Sequence, residues 1–419
     1  MERASGLPAI KSSGLSVALA PEHYTGREQA LVKHHFLKHY LERLIHKIAS
    51  KYGEVVYVDG FSGPWKNQSE QFEDTSFGIA LQALTDAKRS WAGIAHNPRQ
   101  VKMTAHLVEK SPHAYARLAE LQAMFPEVEI HTHKGDFTEI APAIARCIPS
   151  QAFSFILIDP KGFSLDLQAL KPLIGRPRCE VVFNFMFDFV NRFALFEDDK
   201  VAPVLDKLIP TEDWRNQLRA LEQNPAATPE MRKRAIVEAF ECAVSKVAGY
   251  KYVADVDVKR PDRDRTLYFL VYGTRQPPGI EVFRDCQIKS LGVQADIIGR
   301  KKVEKLAEKS SQLELLGSMQ EMAPDPNAVF LIDEMEKARH LLLDIVPTSG
   351  TGRAWGDIWT HVLANHVIRL TELNRIANDL RKSGHLLFPS WPPSPKRVPK
   401  DEFPVLLGTV TPSVSEPVP

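Results

Sequence analysis

The sequence predicts an α/β fold, a mostly parallel seven-stranded sheet with helices on both faces, followed by a smaller, mostly helical C-terminal unit. Three observations predict it. Short apolar runs alternate with segments of helical periodicity five times between Val55 and Phe187. Each run closes on a polar residue before a turn, as parallel strands do at their ligand-facing ends. Two later strands, Tyr250–Lys259 and Thr266–Thr274, are separated only by the turn residues Pro261 to Arg265, so they pair antiparallel and close the sheet.

Taken in order, residues 1–25 are rich in Ser, Gly, Pro and Ala and read as a flexible arm. The main domain is assigned to 26–292. It opens with a helix whose apolar positions Leu31, Phe36, Leu37, Tyr40, Leu41, Leu44, Ile45 and Ile48 recur at three- and four-residue spacing. That helix also carries a basic face. The face is either simply solvated, or it sets Lys33 or His34 beside an anionic ligand. Val55–Val58 is the first strand. It ends on Asp59 and the small-residue turn Gly60, Phe61, Ser62, Gly63, Pro64. Helix Thr75–Ala87, strand Met103–Val108 ending at Glu109, and helix Pro112–Met124 follow. Strand Val128–His133 leads to Gly135, Asp136 and Phe137, and a short helix passes through Ile140 and Ile144. The run Phe153–Ile158, FSFILI, is apolar at every position but Ser154, so it is buried on both faces. It ends in Asp159, Pro160, Lys161, Gly162 and Phe163. A helix at Leu167–Leu173 and a strand at Glu180–Phe187, containing Asn184, complete the repeats.

The antiparallel pair is the ending of the class I methyltransferase sheet. Beyond a helix through Val282 to Ile288, residues 293–327 read as a charged helical linker. Residues 328–390 give helix, turn, helix, Gly and strand, the layout of a winged helix. Its second helix, Thr371–Lys382, offers Asn374, Arg375, Asn378, Arg381 and Lys382. A three-helix packing module without nucleic-acid contact is the alternative. Residues 391–419 form a Pro-rich tail, extended or disordered.

Composition sets bounds. The 419 residues are 44% hydrophobic and 25% charged, ordinary for a globular chain, and the net charge of +1 advertises no global field for nucleic acid. The four cysteines are scattered without a CxxC pair, which argues against zinc or iron–sulfur sites and fits a reducing cytoplasm. No apolar run reaches 18 residues, and the first residues lack a signal-peptide pattern.

The strand-end residues suit a nucleoside cofactor. Glu109 can accept both ribose hydroxyls. Asp136 can accept from an adenine amino group, with Phe137 stacked on the ring. Asp59 and the turn Gly60, Phe61, Gly63 can hold an amino-acid end. No clean GxGxxG run is present, and no helix start is set for a pyrophosphate, so S-adenosylmethionine is favoured over a dinucleotide. Glu109 lies 50 residues beyond Asp59, where about 20 is usual. An insertion centred on Gln68–Thr75 explains the excess. Asp159-Pro160 is similar to the [DNS]PP[YFW] motif of amino methyltransferases. There a side-chain oxygen and a proline carbonyl hold an exocyclic amine against the methyl donor, by positioning rather than strong base. Phe163 would stack on the base, and Lys161, Asn184 and Arg192 would face the substrate. Asp-Pro-x-Gly is also a plain turn, and Arg192 can equally pair with Asp188.

Five segments together resemble the three-Cys-motif partner protein family, TcmP. They are KHHFLKHYL (Lys33–Leu41), YVDGFSGPW (Tyr57–Trp65), TSFGIALQAL (Thr75–Leu84), FILIDPKGF (Phe155–Phe163) and the late YFLVYGT strand. The resemblance covers about Leu31 to Ser290. It implies a class I, S-adenosylmethionine-type fold and a separate partner carrying three cysteines, of a radical-SAM-like kind. Trp65 stands where the family pattern has glycine, at the methionine end. The family's DPFG is replaced by Asp159-Pro160-Lys161-Gly162; DPFG is also similar to the motif of tRNA guanine-N2 methyltransferases. Two functions follow. One is methylation of a nucleic-acid base nitrogen, oriented by Asp159 and the Pro160 carbonyl. The other is a non-catalytic binding or scaffold protein in a defence or repair system.

Overall fold

Seven strands form one sheet: β1 (Glu54–Asp59), β2 (Lys102–Glu109), β3 (Glu129–Lys134), β4 (Phe153–Ile158), β5 (Cys179–Phe185), β6 (Tyr252–Lys259) and β7 (Thr266–Thr274). The computed structural model describes residues 19, 21–63, 69, 72–94, 98–262, 265–309, 326–392 and 399–408. Trp65 and Pro64 therefore lie outside the described residues, as do Gln68 and most of the N-terminal arm. The same holds for 310–325 of the linker and the end of the tail. The strand order is β3-β2-β1-β4-β5-β7-β6. Only β7 runs antiparallel to its neighbours. This is the class I methyltransferase order that the closing hairpin predicts.

Strand β1 sits at the centre because it is apolar on both sides. Val55 and Tyr57 enter one core, and Val56 and Val58 enter the other. The first core is covered by helices α1 (Glu28–Ala49) and α2 (Ser76–Ala92), and the second by α3 (Phe137–Cys147). Helix α4 (Phe187–Phe193) follows β5, and α5 (Pro229–Ala248) lies on the second face. Helix α6 (Pro277–Lys309) returns to the first face against α1. A buried polar clip fastens these parts. Tyr40 of α1 donates to Glu180 Oε2 of β5 (2.6 Å), Thr274 of β7 donates to Glu180 Oε1 (2.9 Å), and the Tyr272 hydroxyl lies 2.9 Å from that of Tyr40. Burial pushes the Glu180 carboxyl above its ordinary value against the pull of these hydroxyls.

The structure corrects several expectations. The arm read through residue 25 is packed from Pro21. Pro21–Tyr24 is a 3-10 turn, and buried Tyr24 lies 3.0 Å from His34 Nδ1. The helix expected at 167–173 is only Lys171–Ile174, since Asp166 accepts from the Ala169 N–H and makes a turn instead. Helix α6 is continuous through 292, where the sequence suggested a domain edge. Gly292 has open space around it and does not break the helix.

The C-terminal unit comprises α7 (Pro326–Ile345), β8 (Arg353–Ala354), α8 (Trp355–Asn365), α9 (Leu370–Lys382), β9 (Leu386–Leu387) and β10 (Pro404–Leu407). Strand β10 pairs antiparallel with both β8 and β9. It falls within the segment read as an extended tail, and its Val405 is fully buried. The unit is not separate from the main domain. Buried Arg284 of α6 donates to the Leu363 and Ala364 carbonyls at the end of α8 (2.6 and 2.9 Å). Among the described residues, no helix is long and apolar enough to cross a membrane.

The outer pair β2–β3 carries a pH-sensitive feature. His106 stacks on His131 and His133 (ring centroids 4.9 and 5.3 Å apart), with its Nδ1 3.1 Å from His133 Nε2. Burial, reinforced by the neighbouring imidazoles, pushes His106 down to about 3. The unfolded chain binds this proton near pH 6.5, so it holds more protons than the folded chain between those values. The stabilising contribution is complete above about pH 6.5 and is lost as pH falls towards 3. We expect urea midpoints to drop across that window by the equivalent of a few kcal/mol. His106→Leu should flatten the dependence, and an unchanged slope in that variant sinks the assignment.

Candidate functional site

A cavity of about 710 Å³ opens at the carboxyl ends of β1 to β5, a size usual for small-molecule sites. Parallel pairing brings Gly60, Phe61 and Gly63 after β1, Glu109 of β2, Asp136 after β3, Asp159 to Lys161 after β4 and Asn184 of β5 to one rim. Lys33 and His34 of α1 form one wall. Leu267 and Tyr268 come from the start of β7, which is near this rim because that strand runs the other way.

Glu109 is 5% exposed; its Oε1 accepts from the Ser111 N–H (2.6 Å), and among the described residues none donates to Oε2. Asp136 caps α3, accepting from the Thr138 N–H (3.0 Å), and pairs with Lys110 (3.1 Å). Burial works to raise the Asp136 carboxyl, but Lys110 and the Thr138 N–H outweigh it and hold the group below its usual range. Because Lys110 is largely exposed, that pair is weak and easily displaced.

Asp59 does not reach the cavity. It is fully buried; its Oδ1 accepts from the Phe61 N–H (2.9 Å), and its Oδ2 accepts from the Tyr57 and Ser76 hydroxyls (3.0 and 2.8 Å). Burial raises its pKa despite those donors. The acid assigned from sequence to a ligand ammonium instead ties β1, its turn and the start of α2 together. Gly60 also has a different task from close approach of a ligand. A Cβ there would stand 2.6 Å from the buried Phe137 ring. Phe137 lines the cavity but packs on Gly60 and edge-on to Phe61 (5.8 Å), not as an open stacking platform.

Three residues far apart in sequence meet on the floor. Lys33 forms an ion pair with Asp159 Oδ2, and the Asn184 side-chain NH2 donates to Asp159 Oδ1. Pro160 and Lys161 continue the rim. Phe163 is turned away from the large cavity, against Phe189 and Phe193 (6.3 and 6.0 Å). Arg192 is exposed and sits 3.8 Å from Asp188, a buried acid that also pairs with Arg260 (2.8 Å) and Arg265. Arg375 and Arg381 lie on α9, outside the cavity lining. Arg381 donates to the Trp391 carbonyl (2.8 Å) and stands 4.3 Å over its ring, so it serves the packing of the C-terminal unit. Arg375 is exposed.

Sequence reasoning missed Arg27, Ser76, Ser111 and Tyr268. The pair Ser111-Pro112 was legible as a helix start, with the cap at Ser111 and Pro at the first position. The others depend on tertiary placement. Arg27, for example, reaches Asp74 across the insertion after β1.

No family model matches the chain, and neither does any curated protein. Solved structures similar to it include a DUF574 family protein from Streptomyces avermitilis, 13% identical, covering 57% of this chain and 82% of that one at a TM-score of 0.29. A DUF519 family protein from Legionella pneumophila is 12% identical over 64% of this chain and 92% of that one, with a TM-score of 0.36. TYW2 from M. jannaschii, in complex with AdoMet, is 13% identical over 55% and 74%, with a TM-score of 0.25. Strand order and register, not these likenesses, establish the fold.

Proposed function

We propose that this chain is an S-adenosylmethionine-dependent methyltransferase acting on a nitrogen of a nucleic-acid base, beside a three-Cys-motif partner protein. The observation that carries the cofactor reading is Glu109. It is a nearly buried carboxylate at the end of β2, on the wall of the large cavity, with one oxygen not engaged by the described residues. A carboxylate there suits a ribose diol, and Asp136 beside it suits an adenine amino group. When bound, the cofactor supplies an electrophilic methyl group. Since Asp59 is committed to the turn, the amino-acid end falls to Lys33 and the turn backbone. The nucleic-acid part rests on the similarity of Asp159-Pro160 to amino-methyltransferase motifs, and on the C-terminal order helix, strand, helix, helix, strand, strand. In a winged-helix reading, α9 would present Arg375, Asn378 and Lys382. The partner reading rests on the TcmP resemblance, and a cytoplasmic location on the cysteine pattern.

One observation favours the second reading, a binding protein without catalysis. Both Asp159 oxygens are already held, by Lys33 and Asn184. Titration calorimetry of the full chain with S-adenosylhomocysteine tests the cofactor reading. Saturable binding is expected, and no heat at millimolar ligand overturns it. Methyl transfer from labelled S-adenosylmethionine to total RNA or DNA, with the partner protein present, then separates enzyme from scaffold.

A further inference from the structure

Helix α1 carries more histidines than the cavity uses. Lys33 and His34 line it, but His35 and His39, one turn apart, do not. Their rings meet edge to face, with centroids 4.4 Å apart and the two Nε2 atoms 3.1 Å apart. His35 Nδ1 lies 3.3 Å from Ser290 Oγ of α6. The single Ser290 hydroxyl hydrogen goes to the Cys286 carbonyl (3.0 Å), so Oγ can only accept and His35 Nδ1 must donate. Neutral His35 therefore presents a bare Nε2 lone pair to His39. His39 Nδ1 lies 3.7 Å from the Glu42 carboxylate, which draws a proton to that nitrogen and away from the second Nε2. Two lone pairs at 3.1 Å repel unless a cation sits between them, either a shared proton or a metal ion.

The spacing suits a metal. With metal–nitrogen bonds of about 2.0–2.1 Å, nitrogens 3.1 Å apart subtend about 100° at the ion, the angle between adjacent ligands in a tetrahedral or square arrangement. Ligating histidines are commonly backed at the other nitrogen by a hydrogen-bonding or carboxylate group, and Ser290 and Glu42 stand in those places. The His39 side chain is 33% exposed and His35 is half-buried, so the pair stands at the surface of α1. Among the described residues no third His, Cys, Asp or Glu completes a cluster, which leaves the remaining positions to water. Lys38 and Lys289 are the nearby cations and Glu42 the nearby anion, so a metal is held by its ligand bonds and not by the local field. We propose that His35 and His39 form a two-histidine chelate for a late first-row divalent cation: copper, nickel or zinc. Imidazole selects these ions over magnesium and calcium. Binding releases the proton that the pair otherwise shares.

The test is titration of the full, untagged chain with copper(II) nitrilotriacetate, a chelate that leaves adjacent positions for two further ligands, followed by calorimetry and electron paramagnetic resonance. The chain has 14 histidines, so the variants carry the assignment. The native chain should take up the chelate with two added nitrogen ligands in its spectrum. His39→Gln, at the more exposed position, and His35→Gln should each abolish that signal. Ser290→Ala leaves both ligands in place and should weaken the binding roughly tenfold. His106→Leu, which breaks up the separate imidazole stack on β2 and β3, should leave it unchanged. A melting curve without copper shows whether each variant is folded; if His35→Gln is not, His39→Gln decides. No uptake by the native chain, the result if the gap holds only a proton, overturns the proposal. So does a two-nitrogen signal that survives in folded His39→Gln.

Discussion

Gly279→Ala will lower the stability of the folded chain by about 1–6 kcal/mol, read as an earlier urea midpoint. A Cβ at this position would stand 2.2 Å from the Tyr272 hydroxyl, 2.6 Å from Glu180 Oε1 and 2.8 Å from Thr274 Oγ1. All three belong to the buried clip, and none is the loose end of a surface side chain. The methyl must displace at least one of them. That adds overpacking of about 1–3 kcal/mol to the loss of a buried polar partner, about 1–3 kcal/mol more. Against this, alanine gains at most about 1 kcal/mol of helix propensity over glycine. Gly292 in the same helix, with nothing within 4 Å of its Cβ position, supplies the contrast. Gly292→Ala should be neutral or stabilise by up to about 1 kcal/mol. Equal effects at the two positions would dismiss the clip as the cause.

Glu109→Ala will weaken S-adenosylhomocysteine binding by roughly tenfold to hundredfold, the range for removing a charged acceptor from a ligand hydroxyl pair. The carboxylate is nearly buried and its Oε1 is already oriented by the Ser111 N–H, so Oε2 is presented without further ordering. Glu109→Gln keeps an acceptor for Ser111 and should lose less. Lys110→Ala removes an exposed pair with Asp136, worth under about 1 kcal/mol, and should change affinity less than about fivefold. A melting curve separates loss of the site from loss of the fold. Wild-type affinity in a folded Glu109→Ala chain would remove Glu109 from the site.

The strands were legible because burial on both faces leaves an unambiguous mark. The run Phe153–Ile158 is apolar in sequence but for Ser154, and wholly buried in the structure. The closing hairpin was legible from the alternation of its first strand and from its turn, and it led to the fold class, while the strand order comes from the structure. The site was legible only to the level of strand ends. That rule placed Glu109, Asp136 and Asp159 on one cavity, but it could not tell Asp59 from them, because the donors that occupy Asp59 include Ser76, 17 residues away and on another element. The Lys33–Asp159 contact joins residues 126 apart, beyond any local pattern. The single long helix α6 was read as a helix and a separate charged linker because a change from apolar to charged looks like a boundary when burial is not known. The tail strand β10 was hidden by the prolines around it; its Val405 pairs with Arg353, 52 residues earlier, and its Leu406 and Leu407 pair with β9.

The position of β7 has a consequence for how the chain is made. Strand β6 leaves the ribosome first, yet its place in the sheet is beside β7 and not beside β5. Until Thr274 has emerged, β5 keeps a bare apolar edge and β6 has nothing to join. Helix α1, translated near the start, must then wait for α6 to cover it. The first residues of the domain are thus finished by nearly its last. Nascent chains stalled before Thr266 carry an open edge of the kind that recruits other strands, and the sheet closes late.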